Sequence, residues 1–483
     1  MLITFTAASL LASAAIGLPA GQVLDQEQVL AQQLAQLRAE VAALQAQGSR
    51  DWLTAARADE IRAVVRDTLA DASTRASLQA SGATAGYSDG FFISSASGDW
   101  TLRFNALEQV RFVFNHSTQD PANTLNSFGF ENRRTELTFS GTVVDPSWSW
   151  IMRFAYNSDA DPYYANPGTL ELQDAAIRHA CGASGLSVVV GQFKAPYMRE
   201  SMLDDGVQLT VERSVVDNIF SSGYQQGIML DYTCDAEAKG CGLRLRTSYG
   251  NGYKEVAAAL NPYGQFQNRS WDSGSTSFNI CARADWKLSG SWEQFNKETS
   301  FQGEAHGFLL GAAIGYENDR GANSNPANID PYSGIKWTVD ATAMFGGANL
   351  SAAVMGQYTP HLAPTTAPDP GAATAANDIG FVVQGGYHLT EQLELYGRWE
   401  YWNLQFTPVT PTATQTEMEN VLTVGANYYF ARNRAKFSLD VGIPMNANDQ
   451  PGALFSFVDD EGAGWLNGNG NQWNIRAQVQ VAF

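Results

Sequence analysis

The last twelve residues, QWNIRAQVQVAF (472–483), alternate without a break. Trp473, Ile475, Ala477, Val479, Val481 and Phe483 fall on one parity, and Gln472, Asn474, Arg476, Gln478 and Gln480 on the other. Successive side chains of a β-strand point to opposite faces, so the pattern predicts a strand between an apolar and a wet environment. Alternating segments recur over 100–114, 129–144, 147–158, 169–181, 185–193, 224–235, 241–251, 274–288, 304–317, 333–346, 348–358, 377–388, 392–405, 418–431, 434–443 and 472–483. Sixteen strands suit an antiparallel barrel with both ends on one side. Short links (VVDPS, GAS, FGGA, LTE, ARNR) alternate with long ones (115–128, 194–223, 252–273, 318–332, 359–376, 406–417, 444–471). Short periplasmic turns and long extracellular loops are the rhythm of an outer-membrane barrel, and a soluble sandwich has no reason for it. The link 289–303 is the exception, long where a short one is due.

Parity assigns the faces. Leu393, Leu395, Trp399 and Tyr401 oppose Glu394, Arg398 and Glu400; Leu422, Val424, Tyr428 and Phe430 oppose Thr423 and Asn427. Aromatics near strand ends (Trp148, Trp150, Tyr156, Tyr428, Tyr429) read as interfacial girdles. Glu108 misfits, sharing parity with Phe104, Val110 and Phe112, and marks a bulge or a contact between subunits. The inward bases are Arg103, Arg111, Arg134, Arg153, Arg178, Arg244, Arg246, Arg283, Lys336, Arg398, Lys436 and Arg476. The inward acids are Glu136, Asp174, Asp231, Asp285, Asp340, Glu394, Glu400 and Asp440. Bases therefore outnumber acids on the wall of a chain whose net charge is −19.

Composition agrees with a transmembrane barrel: 44 glycines, 11% aromatic and only 16% charged residues. No internal apolar run is long enough for a membrane-spanning helix. The net negative charge argues against a nucleic-acid partner.

Residues 1–20 (MLITFTAASLLASAAIGLPA) read as a secretory signal, cleaved near Ala12–Ala14 or Pro19-Ala20. No Lys or Arg precedes the apolar run, so the expected start codon lies upstream. Val23, Leu30, Leu34, Leu37, Val41 and Leu44 form an a/d seam within the segment 21–50, expected to be a periplasmic, oligomerising coiled coil. Residues 51–90 read as a helical linker, with Ile61, Val65 and Leu69 on one stripe, broken by SGATAGYSDG before the barrel of 91–483. Cys234 and Cys241 flank DAEAKG, a hairpin turn, and are expected to be bridged in an oxidising compartment. Parity sends Cys181 outward and Cys281 inward, so these two are not paired.

Several stretches resemble the phosphate-selective porin (O/P) family: RRTELTFSGTVVDPSWSWIMRF (133–154), LQDAAIRHA (172–180), VVVGQFKAPYMRE (188–200) and VERSVVDNIF (211–220). GQFKxP is the most specific of them. The resemblance implies a homotrimer of sixteen-stranded barrels in outer-membrane lipid, with loop 194–223 folded into each pore as its constriction. Lys194, Arg199, Arg213, Glu200, Arg134 and Arg153 are then the residues expected to meet the solute. Relatives known for phosphate carry arginine ladders and lysine clusters. Here the loop has Lys194, Arg199 and Arg213 beside Glu200, Asp204, Asp205, Glu212 and Asp217, which reduces the expectation to a weak anion preference. The resemblance also makes Phe483 the terminal aromatic that the barrel-insertion machinery reads.

The leading expectation is a passive diffusion channel for small ions and hydrophilic solutes, without a cofactor. A structural protein tethering the envelope through the coiled coil is the alternative, and an outer-membrane enzyme is a third class. None of His116, His179, His306, His361 and His388 has a serine-centred motif beside it. The seam is too short to make a stable bundle alone, whereas a barrel wall offers a broad apolar surface to its neighbours. Deleting residues 22–50 should therefore leave a trimer on native gels, dissociating at lower temperature; monomers alone would refute this.

Overall fold

The computed structural model describes residue 39 and residues 83–120, 123–156, 170–234, 241–251, 253–254, 267–268, 278–319, 332–359, 376–406, 415–445 and 472–483. The chain divides into two units, Met1–Ser81 and Gly82–Phe483. In the first, Ala39 alone is described, and it is helical. The expected signal (1–20), the coiled-coil seam and the stripe of Ile61, Val65 and Leu69 lie outside the described residues.

The second unit opens on a hairpin of β1 (Ala83–Tyr87) and β2 (Phe91–Ser95), so strand structure begins ahead of the boundary read at Phe91. Asp89 and Gly90 turn the chain with φ of 55° and 113°, values that Gly adopts freely and Asp tolerates. The strands β3 (Thr101–Asp120), β4 (Asn123–Val143), β5 (Asp145–Tyr156), β6 (Leu170–Ala180), β7 (Leu186–Lys194), β8 (Tyr224–Thr233) and β9 (Leu243–Gly250) follow. The two-residue strands β10 (Tyr253–Lys254) and β11 (Gln267–Asn268) pair with each other. Then come β12 (Phe278–Ser289), β13 (Gly307–Asp319), β14 (Tyr332–Met344), β15 (Ala348–Thr359), β16 (Ala376–His388), β17 (Leu393–Phe406), β18 (Gln415–Tyr429), β19 (Ala435–Pro444) and β20 (Gln472–Ala482).

From β3 to β9 and from β12 to β20 each strand pairs antiparallel with the next; β9 pairs with β12, and β20 returns to β3. Sixteen strands thus close into a barrel. Outward positions such as Ile177, Val190, Leu310, Ile314, Val339 and Val479 are exposed, while inward Arg283, Lys336, Arg398, Asp440 and Arg476 are buried. An apolar outside around a charged inside is the reverse of a soluble fold and is what lipid requires.

Three departures from strict alternation have local causes. The first lies near the misfit at Glu108. The β3–β4 register shifts so that Gln109 faces Arg134 and Val110 faces Asn132, leaving Arg133 as the extra residue on β4. Glu108 stays outward and accepts a hydrogen bond from Thr135 Oγ1 at 2.7 Å. The bulge turns both Arg133 and Arg134 into the lumen. Second, Tyr429 is not a girdle residue: it is buried inside the barrel and donates to Glu394 at 2.5 Å. Third, the long link between β12 and β13 carries a small core of Phe295 with Leu309 and Met344 and sends Glu298 and Thr299 into the lumen. Its length serves the interior. At the same end of the barrel, a disulfide joins Cys234 to Cys241 across the β8–β9 turn, with Cα atoms 5.6 Å apart. Cys281 points inward and donates to the Pro196 carbonyl at 3.2 Å.

The seam between β20 and β3 is offset. β3 bonds to β20 over Leu107–Ser117 and to β2 over Thr101–Phe104, so the hairpin continues the sheet where β20 stops. Phe483 sits at that junction: its N–H donates to the Ala106 carbonyl at 3.0 Å, and its carbonyl accepts from the Ala106 N–H at 2.9 Å. Its ring meets Phe91 and Phe104 edge-on, with centroids 5.9 and 6.0 Å apart. The two backbone bonds do not need the side chain, and a charge near the interface costs at most about 1 kcal/mol. Phe483→Asp should therefore leave any assembled barrel folded but sharply lower the amount inserted, measured as surface-exposed, heat-modifiable protein. Unchanged surface levels would show that the terminal ring is not a recognition signal.

Candidate pore-lining site

Loop 195–223 leaves β7, runs inside the barrel and returns to β8, and two kinds of contact hold it. The first is apolar. Ser214 caps the helix Val215–Phe220, its hydroxyl accepting from the Asp217 N–H at 2.9 Å, while both Ser214 N–H and Oγ donate to Glu200 at 2.7 and 2.6 Å. The capped helix presents Val216, Ile219 and Phe220, with Tyr197 and Met198 from the start of the loop, to inward-facing Met355, Val382, Trp402, Leu404 and Val421. Gly380 makes room for it, since a Cβ there would lie 2.7 Å from the Phe220 ring. The wall thus carries an apolar seat on its wet face.

The second contact is ionic. Glu212 is buried between three guanidinium groups, with Arg133 Nε at 2.7 Å, Arg111 Nη1 at 3.1 Å and Arg134 closing the group. Burial alone raises the Glu212 carboxyl, but Arg133, Arg134 and Arg111 outweigh it and hold the group well below its usual range. Wall side chains then take the loop's carbonyls one after another. Gln480 donates to Gly206, Lys436 to Gln208, Asn427 to Leu209 and Arg398 to Glu212, all at 2.7–2.8 Å. These anchors come from β17 to β20, while the arginines come from β3 and β4.

The residues expected to line the constriction are brought into this one network. Lys194 Nζ donates to the Leu203 carbonyl at 3.2 Å. Arg213 pairs with Asp205 at 2.5 Å and also donates to the Leu203 carbonyl. Arg199 donates to Thr342 Oγ1 and to the Lys297 carbonyl, and Glu200 holds Ser214. Arg134 serves Glu212 and approaches Asp205 at 3.4 Å. Arg153 reaches Asp204 at 2.7 Å and Asp174 at 3.6 Å. The β12–β13 link meets the loop from the opposite end: Glu298 accepts from the Leu209 N–H at 2.6 Å and from Gln384 at 2.8 Å. Its carboxyl is pushed up to about 7, by burial first and then by Glu200.

The described loop is buried or half-buried throughout, save Asp204, which is exposed. Of the charged groups around Asp204, Arg153 and Asp174 are nearly buried, whereas Arg178 is half-exposed and pairs with Asp231 at 3.4 Å. Among the described residues no cluster of His, Cys, Asp and Glu is arranged to hold a metal ion. Parity missed Arg133, the apolar seat and Glu131, which accepts from Arg111 Nε at 2.7 Å. One signal was present: beyond Trp399, β17 reads WEYWNL, with Trp402 and Leu404 apolar on the face that should be polar.

Removing one partner from a buried ionic group costs about 3–5 kcal/mol because the remaining charges stay uncompensated. Glu212→Ala should therefore release the loop. Single-channel conductance should rise and become noisier, and the temperature of heat-induced unfolding on gels should fall. Unchanged conductance and melting would show that the arginines do not clamp the loop.

Comparison with known proteins agrees with this architecture. The family model for phosphate-selective porin O and P matches residues 108–444. No significant match was found among curated proteins. Among solved structures, the outer membrane channel DcaP of Acinetobacter baumannii shares 10% identity at a TM-score of 0.51, covering 82% of this chain and 100% of that one. OmpF of Salmonella typhi, solved with daunomycin, shares 12% identity at a TM-score of 0.49, covering 83% and 100%. OmpT of Vibrio cholerae shares 12% identity at 0.46, covering 80% and 98%. At these identities the likeness to DcaP speaks for the fold, and the family match spans most of the barrel from the misfit Glu108 to the end of β19: the chain belongs to the phosphate-selective porin O and P family.

Proposed function

We propose that this outer-membrane porin is a passive diffusion channel for small hydrophilic solutes and ions, with a weak anion preference. Family and fold are those of a channel rather than an enzyme. The observation that carries the reading is the seating of loop 195–223 inside a closed barrel, with Asp204 and Arg178 left open to water. The weak preference follows from charge placement. The wall carries more bases than acids, but Arg111, Arg133 and Arg134 are committed to Glu212, and Arg213 to Asp205. Few bases remain open to water, Arg178 chief among them.

In this reading three barrels associate through their apolar outer walls, and the N-terminal segment 21–50 lies in the periplasm as a coiled coil that reinforces them. Phe483 is the residue the insertion machinery reads. Lys194, Arg199, Arg213, Glu200, Arg134 and Arg153 act by shaping the constriction, because each is engaged with the loop or its support. An enzymatic reading finds little among the histidines: His179 stacks on Trp148 with ring centroids 4.2 Å apart at a strand end.

Purified protein in a planar bilayer should give stepwise conductance, with a reversal potential across a potassium chloride gradient showing weak preference for chloride. Clear cation selectivity would refute the charge argument, and absence of steps would refute the channel.

A further inference from the structure

Loop 195–223 brings five acids into the lumen, Glu200, Asp204, Asp205, Glu212 and Asp217, and they are not equivalent. Glu212 is enclosed by three arginines, Asp205 is buried against Arg213, Asp217 lies buried on the capped helix, and Glu200 is occupied by Ser214. Asp204 differs. Its side chain is 62% exposed, and every other residue from 195 to 223 is buried or half-buried. A chain that hides apolar, polar and charged groups alike along this whole segment leaves one carboxylate in water.

The exposed carboxylate is fixed in place. Arg153 on β5 donates to Asp204 Oδ1 at 2.7 Å, and the same guanidinium lies 3.6 Å from Asp174 on β6. The next residue, Asp205, is tied to Arg213 and Arg134, and Leu203 before it is held through its carbonyl by Lys194 and Arg213. These ties hold Asp204 beside Arg153. Arg153 and Lys194 also keep its carboxyl below the usual range, so it is ionised at neutral pH.

We infer that Asp204 is the loop residue that meets permeating ions, and that it lowers the anion preference of the channel by neutralising Arg153 and placing a negative charge at the open side of the constriction. This rests on the porin reading above. The inference separates one specificity-determining carboxylate from the neighbouring groups that hold the loop.

The test uses the full-length protein in planar bilayers, with the reversal potential in a potassium chloride gradient as the readout. Removing a single charge beside the path should raise the chloride-to-potassium permeability ratio roughly two- to fivefold in Asp204→Asn, the range set by Coulomb interaction in a wet, screened site. Asp204→Glu should keep the wild-type ratio. A second route substitutes Asp204→Cys in a Cys181→Ser background and adds charged thiol reagents. A sulfonate reagent should return the ratio toward wild type, and a trimethylammonium reagent should push it further toward chloride. An unchanged ratio in Asp204→Asn, or a cysteine that conducts identically before and after both reagents, would overturn the assignment. These failures are distinct from failure of the porin reading itself, which would show as absence of stepwise conductance in the wild type.

Discussion

A strand in hydrocarbon cannot leave its backbone amides and carbonyls without partners, since each such group costs several kcal/mol away from water. Every other feature of this protein depends on meeting that demand around a full circle. β20 must find β3, and the meeting is staggered: β3 continues past the end of β20, and the β1–β2 hairpin takes up the edge left bare. The two bonds between Phe483 and Ala106 lie at the step between these pairings. Closure also fixes register. A slip of one residue would turn every lipid-facing side chain into the lumen, so the charged ladder inside and the apolar wall outside enforce each other.

Closing sixteen strands encloses more space than the wall's own side chains fill, and the interior becomes a second folding problem. The loop solves it unevenly. On the side of β15–β18 it makes a small apolar core around Phe220 and Trp402, and toward β3 and β4 it makes an ionic one around Glu212. The helix is a single short segment with little intrinsic stability. Glu212 would not stay ionised out of water without the arginines around it. Together they hold the loop inside the lumen.

The barrel was largely legible in the sequence because the environment on each side of a strand changes with every residue. β15 and β20 end within a residue or two of where alternation ends. What could not be read was anything that breaks the count or crosses the lumen. The bulge at Arg133 inserts one residue into β4; the misfit of Glu108 on the neighbouring strand pointed to a bulge or a subunit contact, but nothing in β4 itself located the extra residue. Tyr429 looked like a girdle aromatic because parity is ambiguous in the pair Tyr428-Tyr429; its partner Glu394 settles the face. The link 289–303 stood out as too long, but its purpose lies in Leu209 and Gln384 across the lumen. The partners of the loop are far away in sequence, Arg111 and Glu212 being 101 residues apart. Spacing along the chain carries no trace of such a pair.

The net charge of −19 therefore says little about what passes through the barrel. A permeating ion responds to charges within about 8 Å at physiological salt, and inside the lumen most charges of either sign are matched at contact distance. Arg283 is matched by Asp340 at 2.7 Å, Arg476 by Asp440 at 2.8 Å and Arg246 by Asp285 at 2.6 Å. Matched pairs present a small dipole to the path rather than a charge. These wall arginines thus serve as internal counter-ions. On the channel reading proposed above, selectivity falls to the charges that remain in water, Asp204 and Arg178 foremost. In a lumen packed this tightly, a loop that shapes the passage must consume charge to hold itself, and only the charge it does not consume can act on a solute.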